Sequence, residues 1–278
     1  MSVVIALRGP MGSAKSSFAL TLPGKKFIFD LEYGAKRAVW RVPTDSYTVW
    51  QPPLNMEFLK ASLEFHKGDR IRGRIELRKI IQARYLVFLQ DPAYKVGVFD
   101  TAKELWTIFH SSFLEERQDE QLEKAIASAP KGAPSDVIEA HLEWKQTLGT
   151  FEYAQPNSWM ANMITLARQP FFNKDLVLIN HEKDIYTVRP DPTKRGELVS
   201  QPTGEKELDG WNKTLDLADW VLVTSNKFIP SVNGAKAYTQ FKVRVEKSPV
   251  GADLVGLELV DPTYEMLINI VKAQGREC

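Results

Sequence analysis

A short apolar run followed at once by a glycine-rich turn constrains this chain most. The run is Val3-Val4-Ile5-Ala6-Leu7, and residues 9–16 read Gly-Pro-Met-Gly-Ser-Ala-Lys-Ser. A short apolar run bounded by turn residues is typical of a buried strand in a parallel sheet. The turn matches the phosphate-loop pattern G-x-x-x-x-G-K-[ST] except at residue 14, where alanine replaces the last glycine. This order predicts a strand, an anion-binding loop and a helix.

The residues of this loop suit the separate parts of phosphate binding. Backbone N–H groups in a tight glycine-rich turn point inward and bind anions. Lys15 would reach the β- and γ-phosphates of a nucleoside triphosphate, and the Ser16 hydroxyl would help to hold Mg²⁺. We therefore expect ATP and Mg²⁺ as ligands. The predicted nucleotide-binding residues are Gly9, Pro10, Met11, Gly12, Ser13, Ala14, Lys15, Ser16 and Ser17.

Ala14 occupies the one position that departs from the pattern. We place it where the chain enters the short helix that continues to Leu22. In a helix, alanine is favoured over glycine by up to ~1 kcal/mol. On that interpretation the substitution is tolerated without cost.

Further apolar runs predict the rest of a sheet. The predicted core strands are 26–30, 96–100, 176–179 and 220–223, and residues 85–88 form another candidate strand. Helices are predicted at 57–66, after Asp100, at about 158–168 and from Pro262 to Gly275. Two alternating runs at 241–245 and 255–259 predict a hairpin. Strands that alternate with helices indicate an α/β fold, with a mainly parallel sheet covered by helices on both faces and an antiparallel hairpin at the C-terminal end.

The chain of 278 residues fits a single domain over 1–278. Charged and proline-containing segments predict insertions at 43–90 and 115–152. The polar segment 183–214 is predicted to be a long functional loop, because long loops in compact domains are usually functional or disordered.

Composition excludes several classes of protein. A hydrophobic content of 44% and a net charge of +1 are ordinary for a soluble protein and do not by themselves indicate a nucleic-acid partner. The single cysteine, Cys278, excludes a disulfide framework and a cysteine metal cluster. No apolar run approaches the ~20 residues of a membrane-spanning helix. We therefore expect a soluble, cytoplasmic protein with no membrane partner.

Two carboxylates follow predicted strands. Asp100 ends an apolar strand downstream of the loop, the position from which a carboxylate holds Mg²⁺ beside bound phosphates. Its alternative role is to cap the helix that follows. Glu32 lies two residues beyond the strand that ends at Asp30, where it can deprotonate a water in line with the γ-phosphate. A solvent-facing turn acid is the alternative for Glu32, and Glu104 is a second candidate for the base.

His181 follows the predicted strand 176–179, next to Asn180. Polar residues at that point can sense the γ-phosphate and relay its loss to the segment that follows, although a histidine after a strand is often only a surface residue. The predicted catalytic residues are Glu32, Asp100 and His181, and the predicted metal ligands are Ser16 and Asp100.

Taken in order, these segments resemble the RecA-like P-loop ATPases. In that family the strand after the phosphate loop ends in a pattern similar to Phe27-Ile28-Phe29-Asp30-Leu31-Glu32, which carries the catalytic glutamate. A later strand ends similarly to Leu178-Ile179-Asn180-His181, with a glutamine sensor where this chain has His181. The greatest similarity is to compact RecA-fold ATP-binding proteins of bacteriophages. Its motifs are Leu22-Pro23, Asp30-Leu31-Glu32-Tyr33-Gly34, Asp100-Thr101, Glu104-Leu105-Trp106 and His181-Glu182-Lys183.

The resemblance implies an ATPase that handles single-stranded DNA in recombination, annealing or replication. It also implies homo-oligomers or filaments in which ATP lies between neighbouring subunits. An arginine could then act in trans, and Arg37, Arg168 and Arg244 are equally good candidates. Residues 183–209 would correspond to the DNA-binding loop of recombinases.

Two basic stretches are candidates for contact with DNA phosphates. One is 66–79, which includes His66, Lys67, Arg70, Arg72, Arg74, Arg78 and Lys79. The other contains Lys183, Lys194, Arg195 and Lys206, with Tyr186 and Trp211 as candidates for base stacking. Acidic residues interrupt both stretches, so a solvated mixed-charge surface is the alternative.

Two other functions remain open. One is a P-loop small-molecule kinase, and the other is a non-hydrolytic nucleotide-binding module that recruits a replication partner.

Overall fold

The computed structural model describes residues 2–39, 42–53, 68–190, 198–231 and 236–275, and its strands form one nine-stranded sheet. The predicted helix at 57–66, His66, Lys67, Lys194, Arg195 and Cys278 lie outside the described residues. The strands are β1 (Val4–Gly9), β2 (Lys26–Asp30), β3 (Tyr47–Trp50), β4 (Val96–Asp100), β5 (Asp175–Pro190), β6 (Leu198–Asp209), β7 (Trp220–Ile229), β8 (Tyr238–Lys247) and β9 (Glu258–Val260).

The strand order is β3-β2-β4-β5-β1-β7-β8-β9, and β6 pairs with β5. The six strands from β3 to β7 along this order are parallel, whereas β6, β8 and β9 are antiparallel to their neighbours. This confirms the predicted α/β fold with a mainly parallel sheet and an antiparallel C-terminal end. The predicted hairpin differs in detail, because β8 pairs along its length with β7 and β9 is only three residues long.

Helices cover both faces of the sheet, as predicted. They are α1 (Lys15–Ala19), α2 (Lys36–Val39), α3 (Arg74–Gln90), α4 (Ala102–Ser128), α5 (Ser135–Ala140), α6 (Ala154–Arg168), α7 (Lys213–Leu217) and α8 (Tyr264–Ala273). One core contains residues of α3, α4 and α6 packed on one face, and the other contains residues of α1, α2 and α8 on the opposite face. Successive residues of β1 alternate between these two cores, which explains why the strand is apolar throughout.

The candidate strand at 85–88 is wrong, because these residues lie in α3. Tyr85 and Phe88 are buried, but Leu86 and Val87 between them are 46% and 48% exposed. This spacing belongs to one face of a helix. A four-residue apolar run fits a strand or a helix equally well, so only the longer pattern distinguishes them.

The segment 183–214 is also not the long loop that we expected. β5 continues to Pro190 and β6 returns from Leu198, so the two strands form an antiparallel hairpin. We call residues 181–209 the acidic hairpin. Its polar side chains pair across the strands, as Lys183 does with Glu207 and Lys206 with Asp184. Because charged residues lie on both faces, the apolar alternation that marks most strands is missing from this sequence.

The two segments predicted as insertions contact each other through charged groups. Arg70 pairs with Asp119 at 2.5 Å and with Glu139 at 3.0 Å. Arg72 also contacts Glu139, and Arg78 is buried against Glu116 at 2.8 Å. The Arg78 guanidinium lies 4.0 Å from the centre of the Trp159 ring. Much of the basic stretch predicted to bind DNA is thus used for contacts within the chain.

Glu115 of α4 satisfies the first backbone N–H groups of α3. Its carboxylate accepts hydrogen bonds from Gly73 N and Ile75 N, both at 2.8 Å. We expect Glu115→Ala to lower the free energy of unfolding by ~1–3 kcal/mol, because two partly buried donors lose their partner. Urea unfolding measures this effect. The matched control is Glu123→Ala on the exposed side of the same helix, and an equal loss in both variants would contradict the capping role.

Candidate nucleotide-binding site

The sheet topology brings the predicted site residues to one edge. Asp30 is aligned with Asp100, Asp100 with Ile179, and Gly9 with His181, across four adjacent parallel strands. Carboxyl ends of parallel strands are where open α/β sheets bind their ligands. The loop after β1 lies at this edge, between the ends of β5 and β7.

The lysine of the loop is buried against the loop itself. Lys15 is 5% exposed, and its Nζ donates to Gly9 O at 2.8 Å and to Pro10 O at 2.7 Å. Burial lowers the pKa of Lys15 to about 8, although the nearby carboxylates of Asp100, Glu182 and Glu32 oppose this shift. The same loop is closed by Ser13, whose hydroxyl donates to Pro10 O at 2.7 Å.

Gly9 allows β7 to approach the start of the loop. A Cβ atom on Gly9 would lie 2.3 Å from Thr224 O and 2.4 Å from Thr224 Oγ1, too close for any other residue without movement of the backbone. The close approach lets Thr224 Oγ1 hydrogen-bond to Ser13 Oγ at 2.5 Å. Two residues further along β7, Asn226 Nδ2 donates to Gly12 O at 3.2 Å.

The interpretation of Ala14 as an ordinary helical residue is wrong. Ala14 precedes the first residue of α1 and has φ +62° and ψ +24°, the left-handed conformation. For residues other than glycine this conformation costs ~1–2 kcal/mol. The usual pattern therefore has glycine at this position because the backbone needs a positive φ there. This chain has alanine instead, at a cost in stability.

We expect Ala14→Gly to raise the free energy of unfolding by ~1 kcal/mol, because relief of the backbone strain exceeds the entropy that glycine loses on folding. Thermal or urea unfolding measures the change. Gly12→Ala is the matched control, since Gly12 has φ +73° and a Cβ there would meet only Asn226 Nδ2 at 4.0 Å. It should destabilise the chain, and stabilisation by both changes would contradict the argument.

Asp100 and Ser16 meet at the predicted metal position. Ser16 Oγ donates to Asp100 Oδ2 at 2.8 Å, and burial raises the pKa of Asp100 above its usual value. A hydroxyl and a carboxylate are the hard oxygen ligands that Mg²⁺ prefers, with phosphate oxygens and water completing its coordination. No group of three or more His, Cys, Asp or Glu side chains suited to a metal occurs within the described ranges. Ser16 and Asp100 therefore fit a metal shared with a bound triphosphate.

Thr101, and not Asp100, caps the helix that follows. Thr101 is the N-cap of α4, and its Oγ1 accepts from Glu104 N at 3.3 Å. The peptide bond between Asp100 and Thr101 is cis.

Glu32 is held at the same edge by two side chains. Thr101 Oγ1 donates to Glu32 Oε1 at 2.6 Å, and His181 Nε2 lies 3.5 Å from Glu32 Oε2. The hydrogen bonds from His181 and Thr101 hold the pKa of Glu32 below its usual value. The structure thus brings Glu32, Asp100 and His181 together beside the loop, and Glu32 is not an isolated solvent-facing acid.

Glu104, the second candidate for the base, lies in a different environment from Glu32. Burial raises the pKa of Glu104, and the Glu32 charge adds to this effect while Arg74 opposes it. A lowered pKa keeps Glu32 ionised but also makes it the weaker base of the two, so the pKa directions do not choose between them. Position favours Glu32, because its charge acts on both Lys15 and Asp100.

Two buried polar atoms of β5, at the point where the strand leaves the parallel part of the sheet, have no partner among the described residues. They are Asn180 Oδ1 and His181 Nδ1, and Asn180 is 1% exposed. Buried polar atoms normally carry hydrogen bonds, so exceptions at a candidate site are informative. Both atoms could serve a ligand or an ordered water at this edge.

Charged contacts connect the site to both neighbouring hairpins. Arg8 Nη1 donates to Glu182 Oε1 at 3.0 Å, and Arg8 Nε donates to Glu246 Oε2 at 2.8 Å. Lys103 Nζ donates to Asp209 Oδ2 at 2.5 Å and so joins α4 to the end of β6. β5, β6 and β8 are therefore attached by ion pairs to the strand and helix that carry the site.

A cavity of about 270 Å³ lies next to the loop. Its wall includes Ser13 and Ala14 at one end. The other lining residues are Ser17, Phe18, Leu20, Thr21, Ala38, Val42, Phe241, Lys242, Val243, Asp261 and Pro262. This mixture of apolar and hydrogen-bonding side chains fits a small organic group attached to phosphates in the loop.

Sequence reasoning missed Thr224 and Asn226, which contact the loop, and gave no role to Thr101 or Arg8. Thr101, Thr224 and Asn226 follow the apolar parts of β4 and β7, as Asp100 does. The same rule, that polar residues at the ends of parallel strands face a common edge, would have selected them.

The predicted DNA contacts differ in exposure. Arg78 and Trp211 are each 7% exposed, and Trp211 stacks on Trp106 with ring centres 6.3 Å apart. The side chains of Arg72, Lys183 and Lys206 are 60%, 53% and 51% exposed. Arg168, a candidate for action in trans, is bound to Leu217 O and to Asp219 within the chain. Tyr186 remains 59% exposed on the acidic hairpin.

No helix within the described ranges is long and apolar enough to cross a membrane. No protein-family model matches the chain, and no curated protein shows significant similarity to it.

Proposed function

We propose that this chain is a RecA-like P-loop ATPase, which binds ATP with Mg²⁺ and hydrolyses it. One observation carries the proposal: Ser16 and Asp100 are hydrogen-bonded at 2.8 Å beside the buried Lys15, with Glu32 held at the same edge. A loop lysine, a hydroxyl, a strand-end carboxylate and a second, ionised carboxylate are the groups that nucleotide hydrolysis requires.

Binding would begin with a change of partner at Lys15. The ammonium group leaves the carbonyls of Gly9 and Pro10 and donates to the terminal phosphates, which are stronger acceptors because they are charged. Ser16 and Asp100 would hold Mg²⁺, which neutralises phosphate charge as it develops. The cavity beside α1 is where the nucleoside would lie.

Hydrolysis would use Glu32 as the general base. Thr101 and His181 fix both carboxylate oxygens, so the group is oriented and ionised before substrate arrives. Glu32 would orient a water molecule and accept its proton as the water oxygen bonds to the γ-phosphorus. The bond from that phosphorus to the β–γ bridging oxygen breaks in the same displacement, and ADP and phosphate leave. His181 contacts this base and is itself the first residue of the acidic hairpin, paired with Asp209, so a change of charge at Glu32 would act on the hairpin through His181.

An ATPase assay with and without single-stranded DNA tests the proposal. Turnover in ATP and Mg²⁺ alone, or stimulated by DNA, supports it. Turnover only with a small acceptor would indicate a kinase, and binding without turnover would indicate a non-hydrolytic module. Light scattering with and without ATP tests the proposed homo-oligomer.

A further inference from the structure

The hairpins on either side of β1 carry opposite charges. The segment from Thr224 in β7 to Lys247 at the end of β8 contains five Lys or Arg and one Glu. The acidic hairpin, over 181–209, contains five Lys or Arg and seven Asp or Glu. We call residues 224–247 the basic hairpin.

One face of the basic hairpin combines cations with an aromatic ring. Ser225 is paired with Lys242, Lys227 with Gln240, and Ile229 with Tyr238. Paired residues lie on the same face of a sheet, and every second residue along a strand returns to that face. Lys227, Lys242, Arg244 and Tyr238 therefore share one face. Tyr238 is 52% exposed there.

The cations of this face, and Lys236 two residues before the start of β8, are weakly engaged. Lys227 and Lys236 are exposed and form no ion pair with another described residue. Lys242 contacts Glu258 at 3.3 Å, and Arg244 contacts Glu246 at 3.9 Å, in partly exposed pairs. Exposed pairs of this kind contribute little energy, so an incoming anion can replace them. Lys183 and Lys206 of the acidic hairpin instead pair with carboxylates on the opposite strand.

We propose that this face of the basic hairpin binds a single-stranded polynucleotide. Its phosphates would contact Lys227, Lys236, Lys242 and Arg244, and a base would stack on Tyr238. Non-specific binding of single strands depends on this combination of a basic track and exposed aromatic rings. The acidic hairpin, which the resemblance favoured, lacks the net positive charge for this role.

The root of the basic hairpin contacts the phosphate loop directly. Thr224 bonds to Ser13, and Asn226 bonds to Gly12 O. A polynucleotide bound to this hairpin would therefore lie on strands that contact the loop that would hold ATP. This coupling rests on the proposed ATPase function, whereas polynucleotide binding itself does not.

The main alternative occupant is the acidic hairpin of a second copy of the chain. Its net charge is complementary, but its lysines and acids already pair with one another across the strands. That arrangement leaves few carboxylates to match Lys227 and Lys236. The observations thus favour a polynucleotide, and the experiment below distinguishes the two.

The test measures binding of labelled oligodeoxyuridylate and oligouridylate, which differ only in the 2′-hydroxyl, by fluorescence anisotropy over a range of salt concentrations. We compare the wild-type chain with Lys227→Ala/Lys236→Ala and with the matched control Lys183→Ala/Lys206→Ala. The slope of log affinity against log salt should fall by ~1.4 in the basic-hairpin variant, since each single-strand phosphate contact contributes ~0.7. The control should keep the wild-type slope.

Tyr238→Ala should weaken binding ~10-fold or more through lost stacking. Equal affinity for the two oligomers indicates contacts to phosphate and base alone, and preference for one identifies DNA or RNA as the ligand.

Three results would overturn the inference. They are wild-type affinity in the basic-hairpin variant, an equal loss of affinity in the control variant, and a wild-type oligomer, measured by light scattering without oligonucleotide, that dissociates in the basic-hairpin variant. The last result would identify a second copy as the occupant. ATP turnover without oligonucleotide is measured in parallel. Its absence in the wild type would contradict the proposed ATPase but not the binding site. Normal turnover combined with unchanged oligonucleotide binding in the variants would contradict the hairpin alone.

Discussion

Replacing Lys15 with alanine is expected to abolish ATP binding. Lys15 is the only cationic side chain in the loop, and charge-assisted hydrogen bonds contribute ~1.5–3 kcal/mol each. Loss of its contacts to two phosphates should therefore weaken affinity at least ~100-fold. Equilibrium titration with a fluorescent ATP analogue measures the loss.

Lys174→Ala is the matched control for this change. Lys174 is 4% exposed, and its Nζ donates to two backbone carbonyls, Asp91 O at 2.7 Å and Tyr94 O at 2.6 Å. It precedes β5, at the opposite edge of the sheet from the loop. This variant should lose stability but still bind ATP. Wild-type affinity in Lys15→Ala, or equal weakening in both variants, would contradict the site.

Glu32→Gln is expected to retain ATP and to slow its hydrolysis by ~10²–10⁴-fold, the usual contribution of a general base. The amide keeps the size of the side chain and can still accept from Thr101, but it cannot take a proton from water. Single-turnover hydrolysis and ATP titration, done on the same sample, separate the chemical step from binding.

Glu104→Gln tests the rival base. The backbone N–H of Glu104 donates to Thr101 Oγ1, and the substitution leaves this hydrogen bond in place. It therefore removes a carboxylate charge close to the site without removing a contact to Glu32. We expect turnover to stay within a few-fold of the wild type. If Glu104→Gln abolishes turnover and Glu32→Gln does not, the roles of the two residues are exchanged.

The parallel strands were predictable because both of their faces are buried. β1, β2, β4 and the first half of β5 are apolar at nearly every position, and this pattern distinguishes them from surface elements. Once these strands are placed, Lys15, Asp100 and Glu32 must converge at one edge. The candidate site was therefore accessible from the sequence even though its residues are far apart in the chain.

The conformation of Ala14 was not accessible in the same way. Alanine is a strong helix former, and nothing in the residue itself indicates a positive φ. The loop contacts β7 through Ser13, the residue before Ala14, whose hydroxyl lies 2.5 Å from Thr224 Oγ1. Helix propensity gave the wrong answer because Ala14 precedes the first residue of α1 and belongs to the turn of the loop.

Charge partners were equally hidden from the sequence. Arg70 and Arg78 look like a nucleic-acid surface when only neighbouring residues are considered. Their partners Asp119, Glu139 and Glu116 come from a segment that packs against them only in the folded chain. The basic hairpin was overlooked for the opposite reason, because its cations are spaced along two strands and form no dense local cluster.

The position of β1 in the sheet has a consequence for biosynthesis. β1 precedes the other described strands in the chain, but Val4 pairs with Leu176 and Ile5 pairs with Trp220. Its apolar residues are therefore buried only by strands synthesised much later, and such long-range pairing is slow and leaves apolar surface exposed meanwhile. The candidate site, whose loop contacts Thr224 and Asn226, is complete only after those residues have been synthesised.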